Sequence, residues 1–412
     1  MTVLKSRYYN VNRILLLVWG LWPYQNKFRY ARAVFTLGIF VAFVVYQSML
    51  MFIAEYNFKL ALKICSDIFP AILCILQFIA FLIKPIEVKK LLNQICEEWS
   101  ALKDSREIEI AKQYGMFTRR LTEALLYKCF FCKFRYFSVC ALLCWIFLVL
   151  MHFVPIINNS AVTNESFLQD DVLMQQFEKK YLFKERYAYL FFVIVFVGVF
   201  VMTSTTSMVL AYMRHICAML KICCYRIERS LDGNISHMSI SQKNRLMHQK
   251  LISAVNIQRR AMEFTQRALD SFKESYFFLI GIGVISLAIN MLNALEAALI
   301  ANNANELAIS TFYVIIHFLY IFIGNYGGQT ITDHSAAVLK NLYHVQWYVA
   351  PLQVQKLILF LMLRNTKHFG LVIGGIYVAS LEGFITVRKC LINQCKHFIN
   401  CIKQSCMLYI LY

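Results

Sequence analysis

The sequence predicts an all-α, polytopic membrane protein: seven membrane-crossing helices, a cytoplasmic N-terminus and a bundle of helical extensions beneath the bilayer. Three observations carry that prediction. The chain is 59% hydrophobic and only 16% charged, whereas a soluble domain carries about 25% charged residues. Its apolar residues gather in tracts of roughly 20, the length that crosses a hydrocarbon core. Its Lys and Arg sit between those tracts, not inside them. A soluble fold of 412 residues could not hide so much apolar surface. Only 5 prolines and 14 glycines leave little room for a linker or low-complexity tail, so one membrane-embedded unit is the simplest organisation.

In chain order, the expected spans are 33–53, 64–83, 136–154, 187–212, 276–300, 307–327 and 369–387. The last is the most interrupted, by Gly370, Gly374, Gly375 and Glu382. The apolar stretch Ile14–Leu21 is too short for a span, and Trp22-Pro23 follows it where a signal peptide would carry small residues. The first span is thus expected to act as its own insertion signal.

Orientation follows from charge. With the N-terminus inside, segments 1–32, 84–135, 213–275 and 328–368 are cytoplasmic and hold 32 of the 42 basic residues, as cytoplasmic connections do. The sequons at Asn158 and Asn164 then fall in an outer loop, where glycosylation occurs. A third, at Asn234, falls inside and is expected to stay unmodified. Seven spans from an inside N-terminus place the C-terminus outside, the reverse of a G-protein-coupled receptor.

The long inner connections read as helices. Ile252, Val255, Met262, Leu269 and Phe272 recur at helical spacing with Arg259, Arg260 and Arg267 between them, and 335–363 is similarly amphipathic. These segments are expected to extend the membrane helices into a cytoplasmic bundle with faces open to other subunits.

Several chemistries are excluded. The net charge of +19 is spread over connections and forms no basic stripe for nucleic acid. The 14 cysteines are scattered, and Cys129-x-x-Cys132 has no second pair at zinc-ligand spacing, so no metal or cofactor is expected. Gly281-Ile282-Gly283 lies within an apolar span and reads as a helix-packing patch, not a dinucleotide loop. No hydrolase, metalloprotease or P-loop pattern occurs, so an enzyme is not expected. The ionisable residues within spans (Asp67, His152, Glu296, His317, Glu382) lie mostly near span ends and form no midplane relay.

The outer ends of spans two, three, four and six are rich in aromatics. The candidate pocket residues are Phe69, Leu73, Trp145, His152, Phe192, Phe196, Tyr313 and His317. An apolar pocket with few polar groups suits a small volatile ligand, although such aromatics also serve plain packing and the membrane interface.

Several local patterns resemble the insect odorant receptor family. Gly20-Leu21-Trp22-Pro23 precedes the first span. After span six come Gly328-Gln329-Thr330-Ile331-Thr332-Asp333-His334-Ser335, then Tyr343 and Trp347-Tyr348. Ser380-Leu381-Glu382-Gly383-Phe384 is similar to the family's Ser-Leu-Glu-Thr-Phe. The resemblance runs to about Lys389, and its style is closest to the receptor sets of ants, bees and wasps. It implies the ligand-binding subunit of a heterotetrameric odour-gated cation channel, assembled with the odorant co-receptor in the plasma membrane of a sensory dendrite. The partners it implies are that co-receptor, a small volatile apolar ligand and membrane lipid. It further implies an odorant pocket in the outer half, a cytoplasmic anchor including 328–368, and a pore-lining helix over 369–389 with Leu381, Phe384 and Ile385 facing the pore. A gustatory receptor-type channel and a secondary transporter are the alternatives. The taste branch's last-span signature is missing, and so are the internal repeats of a transporter.

Residues 390–412 depart from the family, being polar, basic and rich in cysteine where an apolar gate would need a continuous hydrophobic ring. From about residue 388 the chain reads as translated intron or an alternative exon. A transcript that joins the codons before Val387 to the family ending is the expected finding.

Overall fold

The computed structural model describes residues 7–25, 28–53, 58–126, 170–231, 239–299, 304–366, 369–373, 377–393 and 396. They form helices α1 (Asn10–Val18), α2 (Arg29–Ile53), α3 (Phe58–Ile83) and α4 (Pro85–Ala101). Then follow α5 (105–126), α6 (Asp170–Leu231), α7 (Ile240–Leu299), α8 (Ala304–His344) and α9 (Leu352–Asn365). A two-stranded hairpin comes next: β1 (Val372–Ile373) pairs antiparallel with β2 (Tyr377–Val378), Val372 opposite Val378. Helix α10 closes the described chain over 381–393.

Among the described residues, five helices are long and apolar enough to cross a membrane: α2, α3, α6, α7 and α8. They contain the first, second, fourth, fifth and sixth expected spans. The third, 136–154, and both sequons, Asn158 and Asn164, lie outside the described residues. At about 1.5 Å per residue the 62-residue α6 and the 60-residue α7 far exceed the ~30 Å hydrocarbon core. They therefore continue past the bilayer, where they pack with α1, α4, α5 and α9 around buried Leu16, Leu91, Leu92, Ile95 and Ile216.

The last expected span differs from the structure. Among the described residues 369–373 and 377–380 none is helical; the chain makes the hairpin there and is helical from Leu381. Gly370 sits beside α8, where a Cβ would come within 3.1 Å of Thr332 Oγ1, and Gly374 and Gly375 lie outside the described residues. The amphipathic stretch 335–363 is likewise broken. α8 stops at His344, a 3-10 turn covers Trp347–Val349, and α9 starts after Pro351, because Pro cannot continue a helix.

On α7 the expected stripe is buried at Phe272 and half-buried at Val255, Met262 and Leu269, and departs at Ile252. Ile252 is 40% exposed, while Leu251, Ala254, Ala261, Phe264 and Thr265 are fully buried. Leu251 and Phe264 share that face with Ala254 and Ala261, and α6 approaches closely at Ala254, with Cys223 Sγ 3.4 Å from Ala254 O.

The Gly20-Leu21-Trp22-Pro23 motif forms the turn between α1 and α2. Gly20 has φ of +71°, and a Cβ there would strike Arg29 O, so only glycine fits. Leu21 and Trp22 are buried beneath it. Arg29 Nε donates to Gly20 O at 3.2 Å and Arg32 Nη1 to Leu17 O at 2.9 Å, satisfying carbonyls that the end of α1 leaves open.

Candidate functional site

Helices α3, α6, α7 and α8 converge on a largely apolar cavity of about 170 Å3 that the hairpin and α10 line at one end. Leu73 and Gln77 supply the α3 wall; Val209 and Met213 come from α6. Phe272, Tyr276, Leu279 and Gly283 supply the α7 wall, and His317, Tyr320 and Asn325 the α8 wall. Glycine at 283 leaves the lumen open: a Cβ there would meet nothing nearer than Leu73 Cδ2 at 4.0 Å.

Of the eight residues predicted for the pocket, the structure brings Leu73 and His317 into this wall. Tyr313 is buried one turn from His317, and its carbonyl oxygen lies 2.7 Å from His317 Nδ1. Phe196 packs edge-on against Phe200 with ring centroids 4.8 Å apart, away from the lumen. Phe69 is half-buried on α3 and does not line the cavity. Trp145 and His152 lie outside the described residues, as does the side chain of Phe192. The cavity thus begins at the level of Leu73 and His317 and runs toward the span ends that carry Tyr276 and Asn325. These are the inner ends if the N-terminus is cytoplasmic, so the cavity does not run into the outer half where the pocket is expected.

The bonding around His317 sets its tautomer. A carbonyl can only accept, so Nδ1 carries the proton toward Tyr313 O. In the neutral ring Nε2 is then left to accept from Ser286 Oγ at 2.8 Å. Above it, Ser66 Oγ donates to Asn290 Oδ1 at 2.7 Å, and Asn293 Nδ2 donates to Ser310 Oγ at 2.7 Å. Pro70 inside α3 has no N–H to offer the Ser66 carbonyl, and Asn290 Nδ2 approaches that oxygen at 3.5 Å. Ser66, Ser286, Asn290, Asn293, Ser310 and His317 thus find partners within the protein, as a water-free interior requires.

A second polar chain borders the cavity directly. Tyr320 Oη donates to Gln77 Oε1 at 2.7 Å, and Gln77 Nε2 donates to Thr205 Oγ1 at 2.7 Å. Sequence reasoning missed Gln77, Tyr320 and Asn325 by weighing only ionisable residues within the spans. A lone amide in an apolar tract was the signal to follow. The Gly281-x-Gly283 pair is not a helix-packing patch: a Cβ at Gly281 would meet nothing within 4 Å, and Gly283 borders the lumen.

The residues expected to face a pore divide. Leu381 and Ile385 are exposed on α10, at 36% and 46%. Phe384 turns inward and packs edge-on against Phe318 and Phe322, centroids 6.4 and 5.5 Å away. Among the described residues no cluster of His, Cys, Asp and Glu could hold a metal ion.

At the end of the bundle beyond the membrane, Arg226 forks onto Glu107 with bonds of 2.6 and 2.8 Å and also donates to Ser253 Oγ at 2.9 Å. His334, from the Gly328–Ser335 motif, has Nδ1 2.7 Å from Thr330 O and Nε2 2.6 Å from Tyr114 Oη. The motif thereby ties α8 to α5.

A family model described as 7tm Odorant receptor matches residues 57–392. The chain is similar in structure to the insect olfactory receptor OR5 from Machilis hrabei, with a TM-score of 0.64 and 14% identity over 94% of this chain and 96% of that one. It is also similar to the same receptor in complex with eugenol, with a TM-score of 0.64 and 15% identity over 95% and 97% of the two chains. No curated protein matches.

Proposed function

The chain belongs to the 7tm odorant receptor family, and from that premise we propose that it is the ligand-binding subunit of an odour-gated cation channel. In this reading it works with the odorant co-receptor, in the plasma membrane of olfactory sensory neurons. The carrying observation is the cavity: largely apolar, walled by four long helices, and lined at one end by the segment that starts α10. Its size and lining suit one small volatile molecule. Of the polar groups that line it, His317, Gln77, Tyr320, Asn325 and Tyr377 are occupied by protein partners, and most of the remaining lining is apolar, which favours recognition by shape and apolar contact. A receptor of similar fold has been solved in complex with eugenol.

Gating follows if the open arrangement binds the ligand better than the closed one. The exposed apolar residues Leu381 and Ile385 of α10 are available to line a central pore between subunits, with Phe384 fastening that helix to α8. Exposed Tyr348, Val349, Phe360 and Leu363 around α9 supply a cytoplasmic face for a neighbouring subunit. The N-terminus is cytoplasmic in this arrangement.

The test is odour-evoked cation current in cells expressing this chain with and without the co-receptor, across hydrocarbons, alcohols, esters and aldehydes. Current that requires both chains supports the reading. Silence across the panel with surface expression confirmed and the tail after Lys389 replaced by the family ending would refute it.

A further inference from the structure

We propose that Asn325 is the residue through which filling of the cavity sets the position of the last helix, an inference that rests on the cavity being the odorant site. Asn325 is 4% exposed on α8 and borders the cavity. Its Nδ2 donates to Ile321 O at 2.9 Å within its own helix, which orients the amide and leaves Oδ1 as a fixed acceptor. That one oxygen accepts from Tyr377 Oη at 2.7 Å and from the Ser380 backbone N–H at 3.0 Å. One donor belongs to β2, the other to the residue before α10.

One turn further along α8, Gln329 continues the same seam: its Oε1 accepts from the Leu381 N–H at 3.3 Å. The first N–H groups of a helix have no partner within it. Here α8 side chains hold the donors of Ser380 and Leu381, and Ser380 Oγ holds that of Gly383 at 3.1 Å. Gly328 lets the backbones meet, because a Cβ there would overlap Ala379. This explains why a glycine opens the Gly328–Ser335 motif: it admits the hairpin.

Tyr377 and Ala379 border the cavity, and so does Val387 on α10. The floor of the cavity and the start of α10 are therefore one continuous piece of chain, pinned to α8 mainly through the Asn325 carbonyl oxygen. A molecule pressing on Tyr377 bears on that bond, and α10 moves with it. Asn325 is a positioning residue: in this scheme it couples the site to the helix instead of recognising the ligand.

The test compares Asn325→Leu, which has no acceptor, with Asn325→Asp, which keeps one, in cells expressing the co-receptor and with surface amounts matched. Asn325→Leu is expected to lower the maximal evoked current about tenfold while shifting the half-maximal concentration less than about threefold, because coupling and not affinity is lost. Asn325→Asp retains the larger part of the current. Tyr377→Phe gives an intermediate loss and adds nothing in the Asn325→Leu background. Spontaneous openings, which need no odorant, change in the same order. Wild-type currents from Asn325→Leu, a change confined to the half-maximal concentration, or an aspartate variant no better than leucine would each overturn the proposal. Spontaneous openings without any odorant response would refute the ligand reading alone, and the order of the variants in those openings would still judge Asn325. No current of either kind would remove both.

Discussion

Tyr320 Oη lies 2.7 Å from Gln77 Oε1, and Gln77 Nε2 lies 2.7 Å from Thr205 Oγ1, so one hydrogen-bonded chain crosses from α8 through α3 to α6 beside the cavity. Within a water-free span, removing one member strands its partner. Tyr320→Phe is expected to destabilise the protein by about 1–3 kcal/mol, the cost of an unsatisfied buried polar group. The double variant Gln77→Leu/Tyr320→Phe should cost less than the sum of the two single changes. Thermal unfolding of the purified variants checks both; an unchanged midpoint for Tyr320→Phe would show that the bond contributes nothing.

What the sequence made legible, and what it hid, follows from how local each signal is. The cores of α2, α3, α6, α7 and α8 are legible because about 20 consecutive apolar residues have one structural use in a membrane. The turn at Gly20 and the seam at Gly328 are legible as motifs, and their reasons emerge only where Arg29 O and Ala379 crowd the missing Cβ. The hairpin before α10 was not legible. Its residues are apolar enough for a span, and the Asn325 and Gln329 side chains that meet Tyr377, Ser380 and Leu381 come from a helix distant in sequence. The cavity was half legible: Leu73 and His317 were found, while Gln77, Tyr320 and Asn325 depend on which helices become neighbours. On α7 the large residues drew attention to Ile252, yet Leu251, Ala254, Ala261 and Phe264 are the ones buried there.

Arg226 and Glu107 form a two-pronged ion pair in the extramembrane bundle, with side-chain exposures of 22% and 8%. Replacing Arg226 by Met leaves the Glu107 carboxylate buried and unpaired, at a cost of about 3 kcal/mol. Changing both, Arg226→Met with Glu107→Leu, should recover most of that loss. Denaturation of detergent-solubilised protein measures the two, and equal losses in the single and double variants would contradict the pairing account.

Asp104 gives the bundle a pH dependence. The Arg106 backbone N–H at 3.0 Å, the Tyr225 hydroxyl at 3.2 Å and the Arg229 guanidinium hold its carboxyl below the usual range. A depressed carboxyl contributes stability above its unfolded pKa and loses it as pH falls through the folded one. The wild type should therefore lose thermal stability on acidification below about pH 4, with a shallower slope in Asp104→Asn. Parallel slopes would show that Asp104 makes no such contribution.

Membrane orientation predicts glycan chemistry. Asn158 and Asn164 stand in the loop placed outside by a cytoplasmic N-terminus, so Asn158→Gln and Asn164→Gln should each remove one endoglycosidase-sensitive band shift in cells. Asn234→Gln should remove none. Glycan at Asn234 would invert the topology.

If the odorant occupies the cavity between α3, α6, α7 and α8, as proposed, a large side chain at Gly283 will exclude it. The position borders the lumen with open space beyond its missing Cβ, so Gly283→Phe places a ring where the ligand would lie. The measurement is the odour dose–response of Gly283→Phe beside wild type, co-receptor present and surface expression matched. The account predicts that bulkier ligands of the panel lose at least about tenfold in potency while the smallest lose less, as steric exclusion from a preformed pocket requires. Unchanged potency across the panel would place the odorant elsewhere in the protein.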